Sequence, residues 1–267
     1  MSEPSKWDDL GPRLGSAVVM VALGGGAIWA GGLWFLALVV LALAVMLWEL
    51  VRLSNPDKAT AALQAGALGV VSLGLVQVLP PIFTLPIAGA FLIIFRGLTR
   101  NLRAIVMPYA AVIWLACMGL LSLRLEGGLM PMLWLVSVVI VTDMAGYFAG
   151  RMIGGPKFWP AISPKKTWSG TVAGWLGAAL VGYMFVPQLA EFIDEGGAVG
   201  GSLVIGSVLL SFASQMGDIA ESAIKRRAGV KDASNLIPGH GGLLDRFDGM
   251  IGAALMISLW GLIEPLL

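Results

Sequence analysis

The chain has 267 residues, of which 58% are hydrophobic and 12% charged, with mean hydropathy +0.87 and formal net charge +1. A soluble domain carries about twice that share of charge, so an ordinary water-soluble fold is excluded, and the near-neutral balance gives no general attraction to nucleic acid. The single cysteine, Cys117, excludes an intramolecular disulfide and a thiolate metal cluster.

In chain order, Lys6, Asp8 and Asp9 precede the first apolar run, and no small-residue cleavage pattern follows that run. This reads as a retained cytoplasmic tail rather than a signal peptide. Nine apolar runs follow, at residues 16–31, 33–51, 60–79, 82–95, 104–123, 129–150, 171–186, 200–217 and 249–266. Most approach the roughly 20 residues a helix needs to cross a bilayer. The first and fourth are short, and Gly31-Gly32 and Pro80-Pro81 close tight connections after the first and third. Those pairs are also compatible with hairpins that do not fully cross.

The predicted fold class is an all-α polytopic integral membrane protein of about nine transmembrane helices. A β-barrel would instead show short alternating segments. Residues 1–128 form an N-terminal transmembrane bundle of about five spans without motifs, and residues 129–267 form a catalytic membrane region with cytoplasmic loops. Gly24-Gly25-Gly26 predicts close helix packing. Trp159, Trp168 and Trp175 fit interface anchors, and Glu49 and Arg52 read as ordinary boundary charges.

Basic residues set the sidedness. With nine spans, 16 of the 17 lysines and arginines fall on one side, and Arg124 stands alone on the other with Glu191, Asp194 and Glu195. The N-terminus is therefore expected in the cytoplasm and the C-terminus outside. Asp143, Asp218, Asp245 and Asp248 then lie at the cytoplasmic boundary.

Asp218 and Glu221 are three residues apart, as are Asp245 and Asp248, so each pair shares a helix face. These four hard oxygen donors, without nearby thiolates, suit Mg²⁺ and not zinc or copper. Carboxylates near the membrane boundary are costly unless paired, hydrated or metal-bound; a salt-bridge network with Lys225, Arg226 and Arg246 is the competing account. Lys165, Lys166, Lys225, Arg226 and Lys231 surround the acids with the cations that a polyphosphate requires. Pro238-Gly239-His240-Gly241-Gly242 can bring N–H groups to a phosphate at the start of the ninth helix. His240, the sole histidine, either donates to a phosphate oxygen or holds its own loop. No Gly-x-x-x-x-Gly-Lys-Ser/Thr loop is present, which excludes a P-loop enzyme.

One long pattern unites these residues. It runs Ser222-x-Ile224-Lys225-Arg226, then Lys231-Asp232 and Ser234, then Ile237-Pro238-x-His240-Gly241-Gly242-Leu243-x-Asp245-Arg246-Phe247-Asp248. It resembles the signature of phosphatidate cytidylyltransferases, the CDP-diacylglycerol synthases. Two upstream blocks agree: Asp143-x-x-Gly146-Tyr147-x-x-Gly150-Arg151-x-x-Gly154 and Ser163-Pro164-Lys165-Lys166-Thr167-Trp168-x-Gly170. Ser169 stands where family members often carry Glu or Gln. The motif-level resemblance spans Asp143 to Asp248 only.

The resemblance implies that CTP and phosphatidic acid give CDP-diacylglycerol and pyrophosphate with Mg²⁺, at the cytoplasmic face of a bacterial inner membrane. It implies a catalytic set of Asp218, Asp245, Asp248, Lys225, Arg246 and His240. Metal would be held by Asp218, Glu221, Asp245 and Asp248. Substrate positions would include Asp143, Tyr147, Arg151, Ser163, Lys165, Lys166 and Thr167. Ser222, Arg226, Lys231, Asp232, Gly241 and Gly242 complete that set. A second, monovalent cation and a homodimer are further expectations. A CTP-dependent lipid kinase would use similar parts but transfer the γ-phosphoryl group. A transporter is the reading from another class, and it would place its charges near the midplane.

Overall fold

The computed structural model describes residues 10–189 and 199–263. Lys6, Asp8 and Asp9 of the tail, and Glu191, Asp194 and Glu195 of the acidic stretch, lie outside the described residues. Among the described residues there are nine α-helices, one for each predicted run: α1 Leu10–Ala30, α2 Gly32–Ser54, α3 Ala59–Val78, α4 Thr84–Leu98, α5 Arg103–Leu125, α6 Leu129–Met152, α7 Trp168–Leu189, α8 Val199–Arg227 and α9 Leu244–Ile263. Eight helical segments are long and apolar enough to cross a membrane. A backbone in hydrocarbon must satisfy its own polar groups, and helices do so locally. The protein is an all-α integral membrane protein.

The first and fourth segments are long enough to span. α1 supplies Arg13–Ala30, and a 3₁₀ turn at Pro81–Phe83 extends α4 to Pro81–Leu98. Between α1 and α2 the chain turns through Gly31 (φ 64°) and Gly32 (φ 47°), a left-handed conformation that glycine adopts without steric cost. The loops also hold an element that periodicity does not indicate. Strands β1 Lys157–Trp159 and β2 Ser163–Thr167 form an antiparallel hairpin, pairing Lys157 with Thr167 and Trp159 with Ser163.

The chain divides into two compact units, Met1–Trp114 with Arg227–Phe247, and Leu115–Arg226 with Asp248–Leu267. A division at 128/129 would place the whole signature in the C-terminal region. In the structure, the loop before α9 belongs with the N-terminal helices.

In the first unit α2 and α3 pack closely because glycine removes side chains at the contact. A Cβ at Gly66 would lie 2.9 Å from the Ala44 carbonyl oxygen. Trp114 donates to Ser72 Oγ at 3.0 Å and lies over Phe91. The glycine run of α1 behaves otherwise. A Cβ placed on Gly24, Gly25 or Gly26 would meet nothing within 4 Å, so the expected close packing there is absent. α1 touches the rest of its unit by other residues, and three small side chains cannot by themselves supply a partner helix.

In the second unit α6, α7 and α8 are joined by polar contacts along their length. Thr142 donates to Ser211 (2.8 Å), Trp134 to Ser207 (2.8 Å) and Trp175 to Gln215 Oε1 (3.0 Å). Trp175, expected as an interface anchor, is thus part of this internal network. Such bonds between helices contribute about 0.6 kcal/mol each in a membrane. α8 and α9 cross backbone to backbone at Gly217 and Gly252. Asp218 follows the first glycine directly and Asp248 sits one helical turn before the second, so this crossing brings the two carboxylates to one place.

Candidate active site

Within the second unit, Asp143 from α6, Asp218 from α8 and Asp248 from α9 interact with one another as like charges. Lys166 and Lys225 are the opposing cations. β2 explains which of the two adjacent lysines serves here. Successive strand residues face opposite sides; Lys165 is exposed, while Lys166 turns inward. Its Nζ lies 2.6 Å from Asp218 Oδ2 and donates to the Gln215 carbonyl at 3.4 Å. Ser222 Oγ donates to the other Asp218 oxygen at 3.3 Å. Asp248 Oδ1 accepts the Gly249 N–H at 2.8 Å.

Glu221 is placed differently from Asp218 despite the three-residue spacing. It is fully buried and pairs with Lys225, one turn along α8, at 2.5 Å. Both carboxylates of this spaced pair are thus engaged with an ammonium, Asp218 with Lys166 and Glu221 with Lys225. Thr167 is also engaged. Its hydroxyl accepts the Gly170 N–H at 3.2 Å and so caps the first turn of α7. Ser169 donates to the Gly154 carbonyl at 2.5 Å and lies 3.0 Å from Thr167 Oγ1, which ties the hairpin to the end of α6. Tyr147 and Arg151 meet on the exposed side of α6, where Arg151 Nη1 donates to the Tyr147 hydroxyl at 2.8 Å. Ser163 is half-buried and Arg226 is exposed.

The first unit holds the glycine loop. Asp245 Oδ2 accepts two backbone N–H groups, from Ala233 and Gly242, both at 2.8 Å. The N–H groups of His240 and Gly241 go to the Ile237 carbonyl. Those of Leu243 and Leu244 go to Glu49. The predicted cradle of N–H groups for a phosphate is therefore turned inward: five successive donors, from His240 to Leu244, are used by the protein itself. Arg246 Nε donates to the His240 carbonyl at 3.0 Å, and Lys231 and Asp232 are exposed.

His240 has a partner that its glycine neighbours do not suggest. Ser16 Oγ lies 2.8 Å from His240 Nδ1, 3.1 Å from the Pro238 carbonyl and 3.0 Å from the Arg13 carbonyl. One hydroxyl hydrogen cannot serve all three. Two flanking carbonyls favour donation to one of them and acceptance from Nδ1–H. Nε2 is then the acceptor of a neutral ring, and donation from Nε2 to a phosphate requires the imidazolium.

Glu49 is the residue that sequence reasoning misses. Its place beside Arg52 suggests a boundary charge, yet it is fully buried, while Arg52 is exposed over the Trp48 ring. Its Oε1 accepts from Ser234 Oγ (2.6 Å) and Leu243 N (2.9 Å), and its Oε2 from Leu244 N (2.7 Å). The signal available is a lone acid inside an apolar run, which is a functional candidate by default.

Among the described residues no group of three or more His, Cys, Asp or Glu side chains stands in a metal-binding arrangement. Mg²⁺ does not require one, because it commonly takes one or two carboxylates and completes its shell with water and substrate phosphates. The carboxylates of Asp143, Asp218 and Asp248 are hard donors of the right type, and their mutual repulsion favours a cation.

Residues 12–262 match the family model described as "Cytidylyltransferase family". A Brucella suis protein named phosphatidate cytidylyltransferase is 44% identical over 164 residues, 58% of this chain and 58% of that protein. Proteins of the same name from Haemophilus influenzae and Staphylococcus saprophyticus are 38% identical over 151 residues and 39% over 150. These cover 52% and 56% of this chain, and 51% and 55% of the relatives. The matches thus span a little over half the length of these relatives. The family match is far longer, and on it the chain belongs to the cytidylyltransferase family.

Proposed function

We propose that the protein joins CTP to phosphatidic acid, forming CDP-diacylglycerol and pyrophosphate with Mg²⁺ as cofactor. The observation that carries this reading is the Lys166–Asp218 pair, with Asp143, Asp248 and Lys225 near enough to interact with it electrostatically. Carboxylates for a hard cation and ammonium groups for phosphate oxygens are what nucleotidyl transfer needs. A non-bridging oxygen of the lipid phosphate attacks the α-phosphorus of CTP. The bond from that phosphorus to the β-bridging oxygen breaks, and pyrophosphate leaves with the electron pair. No nucleophile from the protein enters the balance.

Asp218 and Asp248, with Asp143 beside them, would hold Mg²⁺, which when bound neutralises charge on the phosphate oxygens. Lys166 and Lys225 orient phosphate groups beside the acids, and Arg151 and Arg226 are further cations for the CTP and lipid phosphates. Tyr147 sits with Arg151 on α6 as a substrate contact. Positioning of this kind accounts for most of the catalysis available to phosphoryl chemistry.

Label position tests the reaction. With α-³²P CTP, phosphatidic acid and Mg²⁺, label is expected in chloroform-soluble lipid; with γ-³²P CTP it is expected in aqueous pyrophosphate. Lipid labelled from the γ position would make the protein a lipid kinase, and no labelled lipid from either would favour a non-enzymatic role.

The basic-residue asymmetry supports a cytoplasmic N-terminus, a cytoplasmic active site in a bacterial inner membrane, and a C-terminus outside. A reporter active only in the periplasm is expected to function when fused after Leu267 and to be silent when fused before Met1. A silent C-terminal fusion alongside an active cytoplasmic reporter at the same position would overturn the odd number of crossings.

A further inference from the structure

We propose that Glu49, on α2 and outside every motif of the family signature, is a positioning residue for the reaction: it holds the loop Ser234–Leu244 and the first turn of α9. The proposal rests on the functional reading above. The first turn of α9 carries Asp245 and the loop carries His240, so whatever fixes the start of α9 fixes these groups.

Glu49 is separated from Leu244 by 195 residues in sequence, yet both of its oxygens are directed at this loop. It is fully buried. Burying a carboxylate is costly unless charge-assisted hydrogen bonds offset the lost hydration, and here three do. Gly242 shows how closely the acid approaches: a Cβ there would lie 2.5 Å from Glu49 Oε1, so no side chain fits. A helix N-terminus needs no such device to terminate. A serine or threonine at the cap satisfies one or two donors locally, whereas an anion brought from another helix also complements the α9 dipole. It ties the first turn of α9 to α2. A displacement of about 1 Å in a transfer site can cost about 10²-fold in rate, and that sensitivity is the reason for a buried charge here.

Glu49→Gln tests the idea. Glutamine has one acceptor oxygen, so its amide must face at least one of the three donors. Purified protein in detergent is compared with the unsubstituted protein in three measurements: amide hydrogen exchange of the 234–244 peptide, thermal stability, and kcat against KM for CTP. Exchange is expected to rise at Leu243 and Leu244. The value of kcat is expected to fall about 10- to 100-fold, KM for CTP to change less than about threefold, and the exchange of α3 and α4 to stay unchanged. Ser234→Ala removes one donor and leaves both backbone bonds, so it should move exchange and kcat the same way by a smaller factor.

Unchanged exchange in the loop would overturn the proposal, as would faster exchange with a normal kcat. So would a kcat loss matched by equal loosening throughout the protein, which marks a purely structural residue. Failure of the functional reading shows separately, as no labelled lipid from the unsubstituted protein. The exchange measurement then still decides whether Glu49 holds the loop.

Discussion

Asp248→Asn is expected to reduce CDP-diacylglycerol formation by about 10³-fold or more, in protein that folds normally. Charge neutralisation at a phosphoryl centre is worth several kcal/mol, and each 1.36 kcal/mol is about tenfold in rate. Folding should survive because the bond Asp248 makes, from Gly249 N–H to Oδ1, can be kept by the amide oxygen of asparagine. Only the negative charge beside Asp218 is removed. Turnover measured across a Mg²⁺ titration checks this, and near-normal turnover at limiting Mg²⁺ would remove Asp248 from the site.

The same change at Asp245 separates two roles. Its bonds from Ala233 and Gly242 both use Oδ2, so Asp245→Asn can keep the loop clamp while losing the charge. A loss as deep as that of Asp248→Asn is expected if the charge is used. An active enzyme with normal loop exchange would leave Asp245 as a clamp alone. His240→Ala should cost less, about 10²-fold, since it removes one polar contact that water can partly replace.

Gly252→Val is expected to be the most damaging substitution to the fold. A Cβ at Gly252 would strike the Ala213 carbonyl oxygen and lie 3.0 Å from Gly217 Cα. A Cβ at Gly217 would strike the Asp248 carbonyl oxygen and lie 2.9 Å from Gly252 N. The obstructing atoms are backbone, which cannot rotate away as a side chain tip can. Overpacking typically costs about 1–3 kcal/mol, and here the helices must separate, which also parts Asp218 from Asp248. Loss of monodisperse protein in detergent, or a large drop in melting temperature, is the expected result. Gly24→Ala supplies the contrast. Open space surrounds that position, and alanine favours helix over glycine by about 1 kcal/mol, so stability should hold or rise slightly. A Gly252→Val protein as stable as Gly24→Ala would refute the tight crossing of α8 and α9.

The membrane class and the helices are legible in the sequence because both are local properties. An apolar run of spanning length has one stable answer in lipid, whatever its neighbours are. The nine runs accordingly form nine helices. The acids and cations of the site are legible for another reason, since their residue types and spacings form a long pattern tied to one chemistry. Lys166 pairs with Asp218, and Asp143 and Asp248 are close enough to feel the Asp218 charge.

What the sequence could not supply were partnerships set by distant contacts. Lys165 and Lys166 are equivalent in the pattern, and only the β hairpin decides that Lys166 faces Asp218. Asp218 and Glu221 share a spacing that promises one face, but Glu221 is buried against Lys225 while Asp218 meets Lys166. Three glycines in α1 resemble a packing face and have open space around them, whereas the isolated Gly217 and Gly252 make the closest approach. The glycine loop promises free N–H groups, and tertiary structure directs them to Ile237, Asp245 and Glu49. The last of these explains the limit best. A glutamate in α2 carries no local mark of the helix it holds some 195 residues later, because hydrogen bonds depend on distances in space, and those exist only once the chain has folded.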